Sequence, residues 1–210
     1  MKIRSYILIV ISLTALVILA ACSRDSIKDI EASIIEVENL HGQAVNEVNR
    51  LYEEESKLQN LFKETLDTDE TLSSLKKGSS AIFGNIETRE AGLITIEEIE
   101  DQMMDHADTF TTYEGKLVSE DELESVSIEV ENLVSSLNSF RQKYRQRLIT
   151  QEQYFVTIGT EEANYDTFVD GIEKINKEFQ EMQEVLILLD NRLVDLQEVI
   201  ITFQGKIEDI

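Results

Sequence analysis

From Ile27 onward, apolar residues recur in alternating steps of three and four, the spacing of a heptad seam along one helix face. The first run passes through Ile30, Ile34, Val37, Val48, Leu51, Leu58 and Phe62, with polar interruptions at His41, Glu55 and Thr65. It predicts a helix from an N-cap at Ser26 to a turn at Asp67-Thr68-Asp69. A second, poorer seam runs from Leu72 to Leu117, polar at Ser79, Arg89 and Glu100, and it contains Gly78, Gly84 and Gly92. Each glycine costs about 1 kcal/mol relative to alanine in a helix interior. This segment is therefore expected to kink or break near Gly78-Ser79-Ser80. Beyond a turn at Gly115, Ser119 and Glu122 spell a capping box, and the third seam runs from Leu123 to Ile158. Gly159-Thr160 then reads as a C-cap followed by the N-cap of the last helix. The fourth seam, Tyr165 to Ile207, has no polar interruption and is expected to be the structural spine.

Four helices of about 40 to 48 residues with short connections must alternate in direction. The expected fold is all-α, an elongated up-and-down four-helix bundle with coiled-coil-like packing, roughly 60 to 70 Å long. The alternative is a three-helix rod with a broken second helix. In the bundle, the N-terminus, the Gly115 turn and the C-terminus share one end. The turns at Asp67 and Gly159 share the other.

Ahead of Ile27 the pattern changes. Met1-Lys2-Ile3-Arg4 is short and basic, and Tyr6 to Leu19 is apolar except for Ser12 and Thr14. That run is shorter than the ~20 residues a spanning helix needs and ends at Leu19-Ala20-Ala21-Cys22. The order is that of a secretory signal closing on a lipobox, in which Leu19, Ala20 and Ala21 are read by signal peptidase II and Cys22 takes a diacylglyceryl group. Residues 1–21 are then a cleaved signal peptide, 22–25 a lipidated tether and 26–210 the bundle. Cys22 is the one cysteine of the chain, so disulfides within the chain and thiolate metal sites are excluded. Two or more acyl chains, palmitate among them, hold a protein firmly to a membrane. The expected location is the extracytoplasmic face of the cell membrane, with membrane lipid as the first partner.

Composition sharpens this picture. The chain has no Pro or Trp and a net charge of −23, which becomes about −25 once Lys2 and Arg4 leave with the signal. Nucleic acid binding, which rests on neutralising phosphates, is excluded, and anionic wall phosphates are repelled by the body as a whole.

No catalytic or metal constellation emerges. A ferritin-like metal core needs two Glu-x-x-His motifs, and only Glu38 and His41 form one, since His106 has Met103 at that position. There is no Gly-x-Ser-x-Gly elbow. Asp105-His106-Ala107-Asp108 reads as a solvated acidic face, and His41, Glu55 and Arg89 as polar residues that set helix register. The chain is expected to be neither an enzyme nor a holder of metal or cofactor. One cluster runs against the overall charge: Arg141, Lys143, Arg145 and Arg147, around Tyr144. It reads either as a contact site for an anionic polymer or partner, or as a set of cations paired with acidic neighbouring helices.

The stretch Asn85-Ile86-Glu87-Thr88-Arg89-Glu90-Ala91-Gly92-Leu93 leading into Glu97-Glu98-Ile99-Glu100, and the segment from Phe140 to Tyr154, resemble the YkyA-like cell-wall-binding lipoproteins of Gram-positive bacteria of the Bacillus group. The resemblance implies a surface lipoprotein with a helical bundle and an association with the wall, and it carries over no catalytic residue. The functional expectation is a lipid-anchored scaffold or adaptor at the membrane-wall interface, with a cell-wall polymer or wall-associated protein as partner. The alternative is a binding module for a soluble ligand or divalent cation, in which the second helix gates a site lined by Ser79, Arg89 and Glu100.

Overall fold

The computed structural model describes residues 2–115 and 117–208, with side chains described for 27–115 and 117–207. Its helices are α1 (Lys2–Ser56), α2 (Leu58–Thr68), α3 (Ser73–Lys76), α4 (Ala81–Thr111), α5 (Glu120–Ile158) and α6 (Tyr165–Glu208). Among the described residues there is no strand, and no helix is long and apolar enough to cross a membrane. The signal residues Leu19, Ala20, Ala21 and Cys22 lie outside the described side chains. Ser26 is inside α1 and is not its N-cap.

The four long helices pack in a ring, α1 on α4, α4 on α5, α5 on α6 and α6 on α1. Cross-helix bonds give their directions. Glu54 meets Asn85 in α4, Glu100 meets Arg141 while Ala107 meets Ser127, Glu122 meets Lys206 while Thr150 meets Glu178, and Glu38 meets Gln204. Each neighbouring pair is therefore antiparallel, as short connections require. The well-packed α4, with Leu93, Ile96 and Met103 fully buried, gives the four-helix layout and not the three-helix rod.

The first and second seams are each broken near the end opposite the N-terminus. After Ser56 the chain tightens: Lys57 N bonds to Glu54 O at 3.1 Å in place of the residue four back. The Glu53 carbonyl left free accepts from Ser56 Oγ at 2.7 Å, and Glu54 O also accepts from Asn85 Nδ2 at 2.8 Å. The break is thus filled from both sides, as buried backbone groups demand. In the second segment the expected break is present. Gly78 sits at φ +67, which glycine tolerates, and Ser80 caps α4 through its side chain. The short α3 between these breaks is held by Asp69, whose carboxylate accepts from Ser74 N at 2.7 Å, and it buries Leu75 completely.

At the α5–α6 turn the C-cap is as expected and the N-cap is corrected. Gly159 does cap α5, but at φ −80, so left-handed freedom is not what it supplies. A Cβ there would lie 2.5 Å from Lys76 N and 2.9 Å from Leu75 Cβ. The missing side chain lets α5 end directly on α3. The N-cap of α6 is Asn164, whose Oδ1 accepts from Thr167 N at 3.0 Å, whereas Thr160 Oγ1 turns back to Thr157 O.

The cleanest seam is not the spine. In α6 only Met182, Leu189, Leu196, Ile200 and Phe203 are buried, while Tyr165, Phe168 and Phe179 are exposed and Ile172 and Ile175 are half-buried. Beyond Lys57 the first arm of the ring continues as α2, which packs mainly on α4. The start of α6, before Phe179, therefore has α5 on one side and little cover on the other. The spine is α5, which touches both α4 and α6 along its length and buries Val126, Val130, Leu133, Leu137, Phe140 and Tyr144.

These contacts give two predictions. Gly159→Ala forces an atom against backbone and should destabilise by about 1 to 3 kcal/mol, whereas Gly84→Ala, with nothing within 4 Å, should stabilise by up to about 1 kcal/mol. Thermal denaturation followed by circular dichroism should rank the melting temperatures G84A, wild type, G159A. At the opposite end, Lys206, and then the Ser119 cap, hold the Glu122 carboxyl down at about 2. A depressed carboxyl contributes stability above its unfolded value of about 4.5 and loses it as pH falls through 2. Acid titration of Glu122→Gln should show a shallower loss of stability between those limits than wild type.

Candidate functional site

The four cations singled out in α5 are spread round the helix by their spacing of two residues. At about 100° per residue, Arg141 and Arg145 lie roughly 40° apart, and both meet α4. Arg141 is buried and makes a two-pronged pair with Glu100, Nε to Oε1 at 3.1 Å and Nη2 to Oε2 at 2.9 Å. Its Nη1 reaches Glu97 at 3.0 Å. Arg145, half-buried, donates from Nε to Glu90 Oε1 at 2.8 Å. Arg147 turns to α1, where it is buried against Glu55. Lys143 alone of the four is exposed. The structure therefore does not bring the four together as one surface; Lys143 and the open side of Arg145 are what an outside anion can reach.

The arginine facing α1 belongs to a polar layer in the core. The Arg147 guanidinium lies over the rings of Tyr144 and Phe179, 5.4 Å and 5.5 Å from their centroids, a cation–π geometry. The single Tyr144 hydroxyl proton is shared between Glu55 Oε2 at 3.1 Å and Leu51 O at 3.2 Å. Burial, then the Glu55 charge, pushes that phenol well above its ordinary value. One step along lies Arg89, 0 % exposed, which donates Nη2 to Gln151 Oε1 at 2.8 Å. Its Nε and Nη1 have no hydrogen-bond partner. The polar interruptions of two different seams, Glu55 and Arg89, thus meet the same stretch of α5.

The residues considered for a gated ligand site do not converge. Ser79 is exposed in the turn before α4, Arg89 is in the core with Gln151, and Glu100 is taken by Arg141. Among the described residues, no three His, Cys, Asp or Glu side chains are placed to hold a metal ion. His41, buried on its seam, has Nε2 3.0 Å from Leu193 O and so donates to that carbonyl of α6. This bond ties the edge where α1 meets α6. Sequence spacing singled out Arg141, Arg145 and Arg147 without their partners. Glu90, Glu97 and Glu100 repeat at helical intervals facing Arg141 and Arg145, and that repeat was the available signal; the partner of Arg147 is Glu55, a polar interruption of the first seam.

A second feature has no counterpart in the seam pattern. Between α1 and α6 runs a groove of about 590 Å³ lined mainly by apolar side chains, among them Val45, Val48, Tyr52, Phe179, Leu186 and Leu193. The Tyr52 hydroxyl lies on this side of the molecule, buried and without a hydrogen-bond partner.

Comparison with known proteins places the chain in a family. Residues 25–204 match the model of the YkyA family, described as "Putative cell-wall binding lipoprotein", and the chain belongs to that family. No curated protein and no solved structure matches it.

The pairing predicts how substitutions divide. Glu100→Gln leaves the buried Arg141 with Glu97 as its one carboxylate and should cost about 1 to 3 kcal/mol, whereas Glu100→Met with Arg141→Met should come close to neutral. Urea denaturation of the three proteins should show this non-additivity. Tyr144→Phe removes a bonded hydroxyl and should cost about 1 kcal/mol. Tyr154→Phe removes a buried hydroxyl without a partner and should be neutral or stabilising by the same measurement.

Proposed function

We propose that this YkyA-family chain is a lipid-anchored helical scaffold or adaptor standing between the cell membrane and the wall. The observation that carries the reading is the position of the bundle relative to Cys22. The family match begins at residue 25, and Ile27, the first buried apolar residue among the described side chains, is five positions beyond the cysteine. The antiparallel ring puts that end of α1 beside the α4–α5 turn and the end of α6. A diacylglyceryl group on Cys22 then seats the bundle almost on the headgroups, with α2, α3 and the α5–α6 turn farthest from the membrane. At 1.5 Å per residue the 39 residues of α5 reach about 58 Å, which sets the scale of the spacing.

The chemistry supports contact more readily than catalysis. Arg141 and Arg147 are committed to ion pairs, and the charged surface is overwhelmingly acidic. Of the four cations in α5, Lys143 and Arg145 are the ones left to contact an anionic wall polymer; contact with a wall-associated protein can use the rest of the surface.

Cys22→Ala should abolish incorporation of labelled palmitate and move most of the protein from the membrane to the soluble fraction after cell fractionation. A variant that stays in alkali-washed membranes would overturn the lipid anchor. Lys143→Glu with Arg145→Glu should lower retention on isolated walls if these cations make the contact; unchanged retention removes them from it.

A further inference from the structure

Two residues lining the groove between α1 and α6, Ile187 and Val194, belong to an apolar repeat that the bundle does not use and that continues past the groove to Ile201. Ile187, Val194 and Ile201 are 65 %, 49 % and 58 % exposed and follow one another at intervals of seven. They form one line about 21 Å long on α6. Phe179, 44 % exposed, adds apolar surface farther up the same helix. This line is separate from the buried seam of Met182, Leu189, Leu196 and Phe203, so α6 keeps one apolar position in each of three successive heptads outside the bundle. An apolar position that returns every seventh residue on a free helix face stays in line with a partner helix's seam.

The charge on both walls selects the occupant. From Glu31 to Asn49, α1 carries Glu31, Glu36 and Glu38 and no Lys or Arg, while Glu47 turns to Arg50 on the α4 side. From Glu178 to Gly205, α6 carries six acids and a single cation, Arg192, which is turned to Glu129 of α5 and to Asp195. Lys206 is likewise drawn to Glu122 of α5. An anionic lipid surface is repelled by such walls. A second copy would set like-charged walls against each other, and unfavourable pairings of that kind decide partner choice in helical assemblies.

We propose that the α1–α6 groove docks an amphipathic helix of a wall- or membrane-associated protein, one that carries Lys or Arg beside its own apolar repeat. This deepens the adaptor reading by naming the partner's chemistry and the surface that takes it. The partner's apolar side chains lie along Ile187, Val194 and Ile201, and its cations face Glu38, Glu184 and Asp190.

The test is photo-crosslinking in intact cells with benzoyl-phenylalanine placed at Val194, at Ile201, and at the exposed Glu98 of α4 as a control. The expected result is an adduct at 194 and 201 whose crosslinked peptide maps to a basic amphipathic helix, with none at 98. Adding Ile187→Glu, which changes an exposed side chain, should cut the yield at 201 about tenfold. An adduct of twice the chain mass, a lipid adduct, a peptide without basic flanks, or a yield indifferent to Ile187→Glu would each overturn the proposal. A protein adduct at Glu98 with none in the groove would overturn this site while keeping an adaptor; no protein adduct at any position would overturn both.

Discussion

Packing four acidic helices side by side brings carboxylates into a medium that screens them poorly, and α5 is where the chain offsets this. Arg141 and Arg145 meet the carboxylates of α4, and Arg147 crosses the core to Glu55 of α1. Removing water from an ion pair is costly unless the geometry satisfies its donors. The two-pronged Arg141–Glu100 contact, with Glu97 on the remaining nitrogen, meets that condition. These pairs also fix register, because a slip of one residue would leave several buried charges unpaired at once. The apolar seams supply most of the burial; the arginines decide which of several similar seam alignments is the low-energy one.

Once α5 holds α4 and α1 in place, the rest follows with decreasing constraint. Glycine at 92 lets α1 approach α4 closely, since a Cβ there would run into the ends of Glu47, Arg50 and Leu51. At one end, α3 and Gly159 close the bundle by backbone contact. At the other, Lys206 draws α6 onto the cap of α5. Along the α1–α6 edge the described polar contacts are few: the His41–Leu193 bond and the exposed Gln204–Glu38 bond. That loosely held edge also carries the apolar groove. The structural and the interacting faces are thus separated, with buried charge pairs on the α4–α5 side and unpaired apolar surface on the α1–α6 side.

Membership of a lipoprotein family described by wall binding raises an electrostatic question, since anionic polymers and this chain repel each other. The structure sharpens it. The cationic run in α5 is largely spent inside the bundle, and the one wholly exposed member is Lys143. A protein partner that brings its own basic residues meets the same surface without that conflict.

The sequence by itself determined the helical class, the turns near Asp69, Gly78 and Gly159, the capping box at Ser119 and the alternation of directions. These depend on local spacing, on backbone preferences of single residues and on the reach of short loops. It also exposed a cluster of cations that needed an account. Only the tertiary structure decided where those cations point, because the choice between solvent and carboxylate depends on which helix lies opposite. For the same reason it decided that α5, and not the more regular α6, is the spine. A seam states that a helix can be covered on one face. Whether it is covered depends on the partner's continuity, and α1 gives way to α2 at Lys57 before the start of α6 can be enclosed.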